Sequence, residues 1–195
     1  MNKNRLEAFS DGVLAIILTI MVLEIKVPND SDLNALQKVL PILISYLLSF
    51  IYIGIYWSNH HHLFHSVNKV NGTVLWANLH LLFWLSLVPT TTRWVGENHF
   101  ASMPMALYGF VLLMAGFAYW ILQKVIIKIQ GKNSILKKAI GKDFKGYASL
   151  ILYVLGIFVS FYNLRMAGAI YIIVALMWLL PDKRIERLFE DKDVD

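Results

Sequence analysis

The chain contains no cysteine, only five of its 195 residues are proline, and charged residues make up just 16% of it. Without cysteine there is no disulfide framework and no thiolate chemistry, and the redox compartment is left open. A glycine-rich phosphate loop and a dinucleotide fingerprint are also missing, which removes the usual signatures of nucleotide binding. The shortage of charge has the widest consequence. With 57% hydrophobic residues, the chain holds more apolar side chain than a soluble core of this size encloses.

The few charges leave long uncharged stretches at residues 39–68, 70–92, 98–123, 146–164 and 166–181. About 20 such residues wound into a helix cross a ~30 Å hydrocarbon layer. The stretches are continuously apolar and lack the period-two alternation of a barrel wall, so lipid-spanning helices are expected. The last two are joined by the turn Tyr162-Asn163-Leu164-Arg165 and form an antiparallel pair. The first stretch, Gly12 to Leu23 between Asp11 and Glu24, is too short to cross with both charges outside. It follows Arg5 as a leader peptide would, but it contains Asp11 and offers no small-residue cleavage site, so a retained helix is expected. The fold class read from the sequence is all-α. One domain over residues 1–181 holds six transmembrane helices, near 6–25, 40–64, 72–92, 103–127, 145–162 and 165–181, followed by a charged tail over 182–195.

Lys and Arg set the orientation. Placing the N-terminus in the cytoplasm puts fourteen inside: Lys3, Arg5, Lys69, the seven lysines from Lys124 to Lys145, and Lys183, Arg184, Arg187 and Lys192. Four, Lys26, Lys38, Arg93 and Arg165, fall outside, so both termini are expected in the cytoplasm and the protein in the plasma (inner) membrane. A pI near 9.3 then reflects loops facing anionic headgroups, with membrane lipid and not nucleic acid as the partner. Two readings are open for the segment Lys124 to Lys145: a continuation of helix four that then lies along the inner leaflet, or a solvated linker.

Helix one carries the most information. A carboxylate inside hydrocarbon costs about 2.5 to 3.5 kcal/mol, so Asp11 and Glu24 require a partner or water. At about 100° per residue, Arg5, Phe9, Gly12, Ile16, Ile20 and Leu23 share one face, with Thr19 beside it and Asp11 about 140° from Ile16. Such a ladder also suits ordinary packing against lipid or helices.

The run Arg5-Leu-Glu-Ala-Phe9-Ser10-Asp11-Gly12 before that aliphatic stretch resembles the signature of the endosomal and lysosomal potassium channel family, and its bacterial branch most closely. Trp57-x-x-His60-His61 at the end of helix two, and Asn78-x-x-x-x-Phe83 followed by Pro89, are similar to the rest of the family pattern. The resemblance implies a homotetramer of identical six-helix subunits, with helix one of each lining a central pore. It assigns Ile16 to the constriction, continued outward by Ile20 and Leu23. Thr19 takes the position of a hydroxyl that assists potassium; the ordinary role of a helical threonine is a bond back to its own helix. Arg5, Phe9, Ser10 and Asp11 are expected to hold helix one against helices two and three, with Trp57, His60, His61 and Asn78 as partners. The chain contains no Thr-Val-Gly-Tyr-Gly segment, so selectivity from a carbonyl filter is excluded and a hydrophobic gate is expected. Potassium enters as permeant; no cofactor and no structural metal are expected.

Two rival classes fit parts of the sequence. A proton-coupled carrier would use Asp11, Glu24 and His80 as a relay and would show helices broken near mid-span. A metal hydrolase would use the histidines, since His61 and His65 stand i, i+4; no nearby Asp, Glu or Cys completes such a site. Hydrogen bonding at the helix end and pH sensing are the other readings of that histidine run. The protein is not expected to be an enzyme.

Overall fold

The computed structural model describes residues 2–28, 32–65, 67, 70–131, 136–137 and 143–179. They form helices and connecting turns, with no strand among the described residues. In chain order these are α1 (Lys3–Leu23), α2 (Leu33–His65), α3 (Gly72–Ser86), α4 (Val88–Glu97), α5 (Ser102–Gln130), α6 (Phe144–Val159) and α7 (Leu164–Leu179). The first two, the α3–α4 pair taken as one span, and α5 are long and apolar enough to cross a membrane, whereas α6 and α7 are shorter apolar helices.

The helices overlap the stretches where spans were expected, with different ends. α1 begins at Lys3, so its 21 residues reach about 32 Å and the apparent shortness of the first stretch disappears. Asn2 caps it by accepting from the Asn4 N–H at 3.1 Å. The expected third helix over 72–92 is in fact two helices meeting at Leu87. Pro89 sits in the first turn of α4 and has no N–H to offer. Leu87 itself stays in the right-handed helical region at φ −87°, ψ −11°, so the break is a kink and not an unwound segment. Thr91 and Thr92 donate their hydroxyls to carbonyls at the kink, Thr92 Oγ1 to the Val88 oxygen at 2.7 Å. α5 runs to Gln130, nearly two turns beyond Lys124, which favours the continuation reading for the start of that segment. The tail 182–195 lies outside the described residues.

α5 is the hub, packing on α3, α4, α6 and α7. Its buried residues cover about half of its circumference, while Met103, Leu107, Phe110 and Phe117 stand exposed on the other side. Tyr171 of α7 is wedged into this core, where Gly109 and Gly156 make room for it: a Cβ on Gly109 would overlap the Tyr171 hydroxyl, and one on Gly156 would stand 2.5 Å from its ring. Buried hydroxyls tie the bundle together. Ser49 Oγ lies 2.7 Å from Thr92 Oγ1 and 3.0 Å from the Tyr108 hydroxyl; Tyr52 donates to the Tyr171 carbonyl; Tyr171 donates to the Met105 carbonyl at 3.2 Å. In an apolar surrounding such bonds replace the hydrophobic drive between helices that lipid does not supply.

Candidate functional site

α1 buries one narrow stripe, Leu6, Ser10, Leu14, Ile17 and Met21, spaced three and four residues apart, against α2, α3 and α4. A second face, centred about 120° around the helix from that stripe, is bare. Phe9 is 52% exposed, Ile16 58%, Ile20 42% and Leu23 81%. Gly12 has nothing within 4 Å of where a Cβ would be. The aliphatic ladder drawn from the sequence is therefore one continuous uncovered face of the subunit.

Thr19 stands beside this ladder and donates its hydroxyl to the Ile16 carbonyl at 2.9 Å. This is the local bond expected of a helical threonine. It uses the hydroxyl proton and leaves the oxygen able to accept.

Behind the ladder, a chain of buried polar groups fastens α1. Asn78 of α3 donates to Ser10 Oγ at 2.9 Å, and Ser10 donates to the Leu6 carbonyl at 2.8 Å. His60 Nε2 lies 2.7 Å from Asn78 Oδ1. Because the Asn78 amide nitrogen is the donor to Ser10, its oxygen must accept, so His60 Nε2 carries a proton. Every link then runs in one direction, from α2 through α3 to α1, and all three side chains are buried. The His60 ring also stacks on Phe64 at 4.4 Å between centroids. Trp57 adds a second tie by donating its indole N–H to Asp11 Oδ1 at 3.1 Å.

Ser10, Asp11, Trp57, His60 and Asn78 are thus brought together between α1, α2 and α3. Arg5, Phe9 and His61 are not. Arg5 is exposed, Phe9 shares the open face with Ile16, and His61 turns outward, its ring 5.8 Å from His62 and 6.4 Å from His65. For Phe9 the wheel already gave the reason, since it falls on the Ile16 side of the helix and not on the Ser10 side. No group of three or more His, Cys, Asp or Glu able to hold a metal occurs among the described residues.

The three relay candidates of the carrier reading lie apart, each with its own partner. Asp11 and Glu24 are thirteen residues apart along α1, about 20 Å. His80 accepts from the Trp84 indole at 3.0 Å. Glu24 is held by Arg93 of α4 at 2.5 Å; Arg93 Nε reaches Glu97 at 3.1 Å, and Lys26 reaches the same Glu97 oxygen at 3.0 Å. Two acids and two bases form a neutral cluster that pins the far end of α1 to α4 within one chain. Sequence reasoning missed this partner of Glu24, because Arg93 is 69 residues away and no local spacing connects them.

An uncovered aliphatic face on a helix fastened by buried polar groups, inside a bundle of apolar helices, defines a multi-pass membrane protein and not a catalytic centre. The family described as endosomal/lysosomal potassium channel TMEM175 matches residues 5–89, from α1 to the kink. A potassium channel of a Chryseobacterium species (strain P1-3) is 60% identical over 191 residues, covering 98% of this chain and 100% of that one. A potassium channel of Streptomyces collinus is 35% identical over 128 residues, covering 61% of this chain and 62% of the other. The crystal structure of a lysosomal potassium-selective channel TMEM175 homolog from Chamaesiphon minutus superposes with a TM-score of 0.82 at 27% identity, covering 92% of this chain and 97% of that one. This chain belongs to the TMEM175 family, a family of channels and not of enzymes.

Proposed function

We propose that this protein is a potassium-permeable cation channel of the plasma membrane, a homotetramer with both termini cytoplasmic, in which α1 of each subunit lines the central axis. The observation that carries this reading is the uncovered ladder of Ile16, Ile20 and Leu23 on a helix whose other side is tied down. An exposed apolar face on a membrane helix can meet lipid, but polar anchoring of its buried stripe fixes which way the ladder points. That is what a gate requires.

Ile16 forms the constriction. A ring of such side chains excludes water when narrow, so an ion would have to shed its hydration shell; a small dilation re-wets it. Thr19 stands one turn outward with its proton already engaged on the Ile16 carbonyl, so its oxygen can replace a water around a potassium ion. Selectivity then comes from side chains and not from a loop of carbonyls. Asp11 and Glu24, already held by Trp57 and Arg93, are structural in this reading.

The test is flux. Purified protein in liposomes loaded with potassium is expected to dissipate the gradient with no proton or sodium gradient present, and to give unitary currents in planar bilayers. Transport that requires a driving ion would refute the channel reading.

A further inference from the structure

The histidines that close α2 divide into two sets. His60 turns inward to Asn78, whereas His61 and His65 are exposed in the last turns of the helix. At about 100° and 1.5 Å per residue, these two stand about 40° apart around α2 and about 6 Å apart along it, so both imidazoles rise from one strip of surface. Their ring centroids are 6.4 Å apart. His62 lies on a different strip, about 100° around the helix from His61.

An ion held about 2 Å from one nitrogen of each ring, at a tetrahedral angle, sets the two centroids about 5 Å apart. Rotation of two exposed side chains closes that gap of roughly 1 Å without moving the backbone. The surroundings are not hostile to a cation. Glu7 and Asp11 of α1 act electrostatically on His60, as His61 does, so two carboxylates share this neighbourhood. They offset the ammonium of Lys3, which donates to the His65 carbonyl at 3.4 Å.

Imidazole nitrogen suits zinc, nickel and copper, while magnesium and calcium take oxygen ligands. No third His, Cys, Asp or Glu joins the pair among the described residues. Water must therefore fill the other positions, and the ion is exchangeable and not one that the fold requires.

We propose that His61 and His65 together bind one divalent transition-metal ion of the zinc, nickel or copper class. The ion bridges the last turn of α2, whose His65 carbonyl holds Lys3 at the start of α1. The site is independent of the conduction path ascribed to α1.

The experiment uses the full chain in detergent, free of any affinity tag and stripped with a chelator. Calorimetric titration with zinc is expected to show one ion bound per chain in the micromolar range, and titration with magnesium none. His61→Gln and His65→Gln should each weaken zinc binding by about tenfold or more, since either removes the chelating partner of the other. His62→Gln should leave it unchanged. Because His61 and His65 are exposed, both variants should melt close to wild type without metal. Copper gives a check that needs no variant: its electron paramagnetic resonance spectrum should carry splitting from two imidazole nitrogens. Zinc binding that is absent, that magnesium matches, that survives both substitutions or that His62→Gln abolishes equally would overturn the proposal, as would copper splitting from a single nitrogen.

Discussion

Asn78 and Ser10 meet at 2.9 Å in the seam between α3 and α1, with the Asn78 carboxamide turned so that its other end accepts from His60. This one orientation makes a three-residue chain out of side chains from three helices and fixes the rotation of α1 about its own axis. Turning α1 by a single residue would move Ser10 by about 100° and carry the Ile16 ladder with it. The anchor and the open face are therefore two aspects of one constraint.

Breaking the chain should cost stability, and the cost should be shared. Asn78→Leu leaves His60 and Ser10 without their partner, and Ser10→Ala leaves the Asn78 nitrogen unpaired; each is expected to lose about 1 to 3 kcal/mol. In a double-mutant cycle the two should be clearly non-additive, because either substitution breaks the same link. Thermal denaturation in detergent with the four proteins reads this directly, and simple additivity would show that the two groups act independently.

The tie between Trp57 and Asp11 separates charge from hydrogen bonding. Asp11→Asn keeps an acceptor for the Trp57 indole and removes a carboxylate that is costly near lipid, so it should fold close to wild type. Asp11→Ala and Trp57→Phe lose the bond, at about 1 kcal/mol each given the exposure of both side chains. If Asp11→Asn were as destabilised as Asp11→Ala, the carboxylate would be needed for its charge instead.

The seat of Tyr171 gives a prediction remote from α1. A methyl group on Gly109 would overlap the Tyr171 hydroxyl, which is itself bonded to the Met105 carbonyl. Gly109→Ala should therefore cost about 1 to 3 kcal/mol by overpacking. The double variant Gly109→Ala with Tyr171→Phe should recover part of that loss by removing the colliding oxygen. Melting curves of the three proteins test it; a double variant no better than the single would mean that the ring and not the hydroxyl is the obstacle.

Much of this fold is legible in the sequence, because absence of charge over 20 residues marks a helix whatever its neighbours do. The partners of α1 came from the family resemblance, which named Arg5, Phe9, Ser10, Asp11, Trp57, His60, His61 and Asn78; the hydrogen-bonding members Ser10, Asp11, Trp57, His60 and Asn78 meet, whereas Arg5, Phe9 and His61 do not. The core was not legible. α3 and α5 are apolar on every side, so no stripe says which face turns inward, and the burial of Tyr52, Tyr108 and Tyr171 is decided by packing alone. The kink at Leu87 was half visible through Pro89. The cluster of Glu24, Arg93, Glu97 and Lys26 was invisible, since it depends on where the C-terminal ends of α1 and α4 meet in space.

Opening Arg93 from that cluster should loosen the C-terminal end of α1. Arg93→Gln leaves Glu24 without its cation, and if α1 moves as the gate does, open probability should rise in bilayer recordings. Glu24→Gln should shift it the same way but less, since it breaks one ion pair where Arg93→Gln breaks two. Unaltered gating in both would make the cluster a passive clamp.

The proposed constriction makes its own demand on conduction. Ile16→Asn places a polar, hydrogen-bonding ring where a dewetted one stood, so open-state current should rise several-fold and the preference for potassium over sodium should fall. Bi-ionic reversal potentials and current amplitudes measure the two effects separately.

Because the chain has no cysteine, Ile16→Cys introduces its only thiol, and a water-soluble cationic thiol reagent can report where that side chain points. The account predicts that the reagent blocks current through Ile16→Cys channels, faster when they are open, while wild type and Leu14→Cys, on the buried stripe of α1, are unaffected. Undiminished current through Ile16→Cys channels, with the thiol modified only by a lipid-soluble reagent, would place Ile16 against lipid and contradict the central claim.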